Sequence, residues 1–266
     1  MNISINMLPY MNNKEESGQL LSRWQGGVEL VTEGADWRDN GTDWFNDSGL
    51  PASFSGQIGV HAPIFDLNLA CPRYPVFSEY SFEVYKQSLR WAARIGAEHV
   101  VIHPNLYSSP IYNKKEAQRC SKTYLQKLGE LGKHLGVKVF VENVGFHECA
   151  LFSAEEFVRL FEEILSIDAL LDVGHAHINR WDIPEVIKQL GGRLAAVHLH
   201  DNYGKYDDHL PIGEGTIEWT GIWKVLGEAS HDIEFILEYQ IGTPPETLLE
   251  HARKLQEEHL KTRLIK

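Results

Sequence analysis

The chain has 266 residues, 43% of them hydrophobic, a formal net charge of −12 and three cysteines, Cys71, Cys120 and Cys149. That supplies a large core, yet no apolar run approaches the roughly 20 residues that span a bilayer, and the acidic balance disfavours general attraction to nucleic acid or an anionic membrane. Odd, widely spaced cysteines, and a start (MNISINML) without the basic, apolar and small-residue regions of a secretory signal, predict a reducing, cytoplasmic setting.

Along the chain, short β-branched runs alternate with longer amphipathic segments. The predicted strands are residues 3–8 (ISINML), 27–33 (GVELVTE), 57–63 (QIGVHAP), 98–104 (EHVVIHP), 137–143 (VKVFVEN), 168–175 (DALLDVGH), 194–202 (LAAVHLHDN) and 234–240 (EFILEYQ). Between them lie helical patterns such as SFEVYKQSLRWAARIG, EAQRCSKTYLQKLGELGKHLG and SAEEFVRLFEEIL, the last with Ser153 and Glu156 at capping-box spacing. Gly96, Gly136 and Gly191 follow three of these helices, where a left-handed C-cap is common. Eight βα units without a linker predict one domain over 1–266, an α/β TIM (β/α)8 barrel. A doubly wound sheet is the alternative, but it would carry a glycine-rich phosphate loop after its first strand, and MLPYMNNKEESG is not one.

The chemistry-bearing side chains fall at one end of those strands. His61 ends the third, His103 the fourth, Glu142 the fifth, Asp172 and His175 the sixth, His198 the seventh and Glu238 the eighth. In a TIM barrel this end is the C-terminal face, where active sites are built. The stretch VHLHDNYGKYDDHLPIGEG (197–215) adds Asp207 and His209 from the loop after strand seven. Each residue alone has an ordinary structural explanation, but ion-pair or surface roles would scatter them over both ends of the barrel. Five imidazoles and four carboxylates without a thiolate suit zinc, manganese or a similar divalent ion, and the clustered negative charges need cations between them. His99, His134, His231, His251 and His259 fall at strand starts, in helices or in connecting loops and are expected to be solvated; His147, His177 and His200 lie near the mouth without ligand spacing.

The stretches GVEL, HAP, IHP, VEN, LDVGHAH, HLHDN, DDHLPIGEGTIEW and ILEY occur in an order that resembles the xylose isomerase-like TIM barrel superfamily, which includes sugar phosphate isomerases/epimerases and the endonuclease IV group (AP endonuclease family 2). The resemblance implies that Glu142, Asp172, His198 and Glu238 form a four-ligand site of the ketose epimerase kind. It also implies that His61, His103, His175, Asp207 and His209 match the further ligands by which endonuclease IV holds three zinc ions, so one to three Zn2+ or Mn2+ ions are expected. Two features separate the chain from the endonuclease: Ile64 stands where the endonuclease has a tyrosine, and the loop EGADWRDNGTDWFNDSG (33–49) sets Glu33, Asp36, Asp39, Asp43 and Asp47 against Arg38 alone. In that loop Trp37, with Trp44 and Phe45, suits the apolar face of a sugar. The ketose epimerase pattern is met by Glu148, six residues after Glu142, and departed from at Gly204, where an arginine is expected.

The expected function is therefore a divalent-metal-dependent isomerase or epimerase of a sugar or sugar-like polyol, working through a metal-stabilised enediolate. Glu142 and Glu238 are the expected proton-transfer groups, with His175, Glu148, His200 and Trp37 toward substrate. The alternatives are an endonuclease IV-like phosphodiesterase at abasic DNA sites and a sugar-acid dehydratase. The expected partners are a small carbohydrate and, in a homo-oligomer, further copies of the chain, with DNA ranked below carbohydrate and no membrane.

Overall fold

The computed structural model describes residues 2–10, 13–33, 50, 54–105 and 113–264. Eight strands, β1 (Ile3–Asn6), β2 (Gly27–Val31), β3 (Ile58–His61), β4 (His99–Ile102), β5 (Lys138–Glu142), β6 (Asp168–Asp172), β7 (Leu194–Leu199) and β8 (Glu234–Leu237), pair in sequence order. All pairings are parallel, and β1 closes onto β8 through Ile3↔Phe235 and Ile5↔Leu237. The closed barrel excludes the doubly wound alternative.

Around it run α1 (Lys14–Ser22), α2 (Pro75–Ile95), α3 (Lys114–Leu135), α4 (Ala154–Glu163), α5 (Val173–Ile178), α6 (Ile183–Leu190), α7 (Trp219–Glu228) and α8 (Pro245–Leu264). The capping box of α4 is formed: Ser153 accepts from the Glu156 amide and Glu156 accepts from the Ser153 amide, an arrangement whose serine is worth about 1 kcal/mol against alanine. Gly96 and Gly136 close α2 and α3 with φ 75 and 74 in the left-handed region. Gly191 follows α6 with φ 48 and ψ −130, a positive φ outside that region. Among the described residues no helix is long and apolar enough to cross a membrane.

Strand alternation decides what faces inward. Val100, Ile102, Val139, Val141, Leu171, Val197, Leu199 and Phe235 join the large core between barrel and helices. Their alternates Val101, Phe140, Leu170, Ala196 and Ile236 form a small separate cluster, an apolar layer inside the barrel supplied by β4 to β8. Two residues further along the same faces stand His103, Glu142, Asp172, His198 and Glu238, so one alternation both plugs the barrel and aims the polar side chains above the plug. On the β1–β2 side the alternation is polar, since Ser4, Asn6 and Glu29 are all 0% exposed.

The strands are shorter at their C-terminal ends than the sequence predicts. The sixth, like the seventh and eighth, ends three residues early: it stops at Asp172, which caps α5 by accepting from the His175 amide, so His175 lies in the first turn of that helix and not on the strand.

Candidate metal centre

His61, His103, Glu142, Asp172, His198 and Glu238 each lie within one residue of the end of β3 to β8 and are at most 7% exposed. The β7–α7 loop folds back to join them. Asp201 and Leu210 exchange two main-chain hydrogen bonds of 2.7 and 2.9 Å, and the Gln240 amide donates to the His209 carbonyl at 2.8 Å. His209 is thereby held at φ 48, a left-handed conformation costly for a side chain of this size.

Hydrogen bonds select which ring nitrogen each histidine presents. The Nδ1 atoms of His61, His175 and His209 lie 2.9, 2.9 and 3.1 Å from the carbonyl oxygens of Ala62, Asn143 and Glu238, so each donates there and presents Nε2. His198 is reversed: its Nε2 meets Glu29 Oε1 at 3.1 Å and its Nδ1 faces the cluster.

The candidate ligand atoms fall into three groups, the first two of which share Glu142. Glu142 Oε2 is 2.9 Å from His103 Nε2 and 3.4 Å from His61 Nε2. His198 Nδ1 is 2.9 Å from Glu238 Oε2, 3.5 Å from Glu142 Oε2 and 3.7 Å from Asp172 Oδ2. Asp207 Oδ2 is 3.0 Å from both His175 Nε2 and His209 Nε2. Two ligands each about 2.1 Å from a cation in tetrahedral or octahedral geometry stand about 3.0–3.4 Å apart, within the 2.9–3.7 Å range found here. His198 Nδ1 and Asp207 Oδ1 are buried without a hydrogen-bond partner, as ligand atoms aimed at a cation would be. The residues therefore fit a divalent cation, and Glu142 belongs to two of the groups.

The protons and charges fit the same reading. Burial opposes ionisation of Glu142, but the charges of His103 and His198 and hydrogen bonds from His103 and His175 outweigh it and hold the carboxyl well below its usual range. Burial likewise opposes the charged forms of His61 and His209. Hydrogen bonds to Glu142 and Asp207 respectively, with the surrounding carboxylates, prevail and push both rings up to about 9. For His103 burial wins, and the ring is pushed below its ordinary value despite Glu142.

The centre opens into a cavity of about 640 Å3 that exposes His61, His103, Glu142, His175, Asp207, His209 and Glu238 to a ligand. Leu8, Val31, Ile64, Phe65, Phe146 and Ile241 form its walls, and among the described residues neither Lys nor Arg lines it. Of the other expected substrate contacts, neither Glu148 nor His200 lines it. Glu148 is exposed on the turn His147–Cys149, next to the lining residue Cys149. His200 lies beneath the surface at 0% exposure, its Nε2 3.0 Å from Asp172 Oδ2 and its ring stacked 4.0 Å from that of His209, so it steadies two candidate ligands. Trp37 lies outside the described residues, as do Trp44 and Phe45.

His99 corrects a second expectation. It is 1% exposed, inside the barrel, because the first residue of β4 shares the inward face of Val101 and His103. Glu29, 0% exposed and bonded to His198, is absent from the sequence-derived set. Its signal is an acidic residue between Val28 and Leu30 in an otherwise apolar strand, where the outward neighbours leave it only the interior.

A closed eight-stranded barrel whose C-terminal mouth gathers imidazoles and carboxylates around one cavity is a TIM barrel with a candidate metal centre. The chain belongs to the xylose isomerase-like TIM barrel family, whose model matches residues 29–259. An uncharacterized protein of Methanocaldococcus jannaschii is 28% identical over 177 residues, covering 66% of this chain and 68% of that one. A Mesomycoplasma hyopneumoniae protein named a probable endonuclease 4 is 28% identical over 187 residues, 64% of each chain. The chain thus spans about two thirds of the length of these relatives. Among solved structures, a D-tagatose 3-epimerase-like protein superposes with a TM-score of 0.81 at 22% identity, covering 98% of this chain and 97% of that one. A Thermus thermophilus protein soaked with zinc chloride gives 0.76 at 22% identity over 97% and 99%. At such identities the structural matches establish the fold.

Proposed function

We propose that the protein is a divalent-metal-dependent isomerase or epimerase of a small sugar or sugar-like polyol. The observation that carries this reading is that Glu142 and Glu238, from strands three places apart, both reach His198 Nδ1 and both line a cavity that no Lys or Arg among the described residues lines. Two carboxylates on one small-molecule cavity suit proton transfer at carbon, and a described lining without fixed cations favours this over a phosphodiester backbone. The structural likeness to a protein titled D-tagatose 3-epimerase-like supports the same class.

Glu142, Asp172, His198 and Glu238 would hold the catalytic cation, which when bound supplies Lewis-acid polarisation of a carbonyl and its neighbouring hydroxyl. Glu142 and Glu238 are ionised, so either accepts the proton from the carbon between those oxygens, and the same or the other carboxylate returns it. Return to the opposite face of that carbon inverts it, whereas return to the neighbouring carbon moves the carbonyl. Leu8, Ile64, Phe65 and Ile241 narrow the mouth and limit water during the transfer.

The metal-loaded protein incubated in D2O with a panel of ketoses, keto-acids and inositol-like polyols is expected to place solvent deuterium on carbon. Glu142→Gln is expected to lower that exchange by at least about 100-fold, the usual contribution of a positioned acid or base. His134→Ala, on an exposed helical position, is expected to leave it unchanged. Equal losses in the two variants, or no exchange with any substrate, count against the proposal. The third donor group, His175, Asp207 and His209 with His200 beside them, favours a second reading, metal-dependent cleavage at abasic DNA sites. An abasic duplex is the matching substrate, and it is expected to stay intact.

A further inference from the structure

The apolar layer inside the barrel comes from β4 to β8 only, and a column of polar side chains descends beside it. Glu29 Oε1 accepts from Asn6 Nδ2 at 2.8 Å and meets His198 Nε2 at 3.1 Å. Asn6 Nδ2 also donates to Glu238 Oε1 at 3.0 Å, tying Glu29 to a candidate ligand. Below them His99 lies between two carboxylates, its Nε2 3.6 Å from Glu29 Oε2 and its Nδ1 3.5 Å from Glu234 Oε2, with its ring stacked on Phe140 at 4.4 Å. Glu234 in turn accepts from Ser4 Oγ and from Gln57 Nε2. The seat for His99 is specific, since a Cβ at Gly59 would lie 2.3 Å from its Nε2.

We propose that Glu29 is a positioning residue of the metal centre that locks His198 in the Nε2–H form so that Nδ1 is the ligand atom. This rests on the metal-centre reading of the proposed function. His61, His175 and His209 are oriented by main-chain carbonyls, which a side-chain substitution cannot remove; His198 alone of these four depends on a carboxylate from the barrel interior. Glu29 Oε1 takes both Asn6 Nδ2 and His198 Nε2, while Oε2, 3.6 Å from His99 Nε2, has no hydrogen-bond partner. Partners such as Glu29 typically change metal affinity about 10–100-fold.

The test uses the full-length protein loaded with zinc and labelled with 15N at histidine, read by two-bond 1H–15N correlation, with His198→Gln identifying its signal. The expected spectrum shows His198 bound through Nδ1 and protonated at Nε2. Glu29→Gln removes the negative charge from the partner of His198 Nε2–H and is expected to weaken zinc binding about 10–100-fold in competition with a chromophoric chelator. His198 bound through Nε2, or zinc affinity within twofold of the parent in a folded Glu29→Gln protein, would each overturn the inference while leaving the metal centre standing. Failure of the parent protein to bind zinc overturns both.

Discussion

At the scale of single residues, Asp207 and His209 divide the two chemistries open to this centre. Asp207 Oδ2 is shared at 3.0 Å by His175 and His209, and burial of the carboxyl is overcome by His175 and His209, which hold it far below the usual range. Replacing both Asp207 and His209 by Asn removes the third donor group and leaves Glu142, Asp172, His198 and Glu238 untouched. For proton transfer at one cation, the loss is expected to be partial and to appear mainly in KM, because the pair faces the cavity and orders its loop. Loss of nearly all kcat, together with metal-dependent nicking of an abasic duplex by the parent protein, would assign the function to the phosphodiesterase reading. The sequence made this pair legible because both residues sit in one dense stretch. Glu29 and His99 were not legible in the same way: each is a lone polar residue in an apolar strand, and its meaning comes from partners 169 and 135 positions away, His198 and Glu234.

At the scale of elements, the β7–α7 loop is held by one carboxylate. Asp201, 0% exposed, accepts from the amides of Asn202, Gly213 and Ile217 and from Trp219 Nε1, at 2.8–3.1 Å. Four donors converge on a group with four lone-pair sites, so Asn in its place offers one oxygen and confronts the remaining donors with an NH2. Asp201→Asn is expected to cost about 2–3 kcal/mol, the range for hydrogen bonds to a buried charge. It is also expected to open the 203–215 segment to limited proteolysis and to reproduce the KM-weighted loss of the Asp207→Asn, His209→Asn variant. Unchanged protease resistance with unchanged KM would show that the loop is held by other contacts. All eight strands and the α4 cap were legible as periodic patterns, because alternation and capping are local. The end of β6 was not: Asp172, Gly174 and His175 read as a continuing strand, while the Asp172 side chain instead captures the His175 amide and starts a helix. Gly174 permits the packing that follows, since a Cβ there would meet His200 at 2.0 Å.

At the scale of the whole molecule, protons and metal ions compete for the same buried charges, and this sets opposite pH dependences for the metal-free and loaded protein. His61 and His209 hold their protons to about 9 in the folded chain against about 6.5 in an unfolded one. A folded-state value raised in this way contributes stability that is fully present below about pH 6.5 and is lost as pH rises through about 9. Asp172 and Glu238 work in the other sense: burial is outweighed by His175 and His200 for the first and by His198 for the second, which lowers both. Their contribution is present above the ordinary carboxylate range and is lost as pH falls through the lowered folded-state values. Metal-free protein should therefore be most stable near about pH 5–6.5 and should weaken toward about pH 9, where unprotonated rings no longer separate the carboxylates and the acidic chain repels itself further. A bound cation replaces those protons, so zinc affinity should rise with pH until His61 and His209 have lost theirs, near about 9, and then level off. Thermal unfolding with excess zinc and with chelator at pH 6.5, 8 and 9.5 measures both trends. The expected result is a falling midpoint without metal and a zinc-induced increment that widens across the series. A metal-free midpoint that holds steady or climbs from pH 6.5 to 9.5 would mean that the imidazolium–carboxylate contacts at the mouth do not contribute to the stability of the barrel.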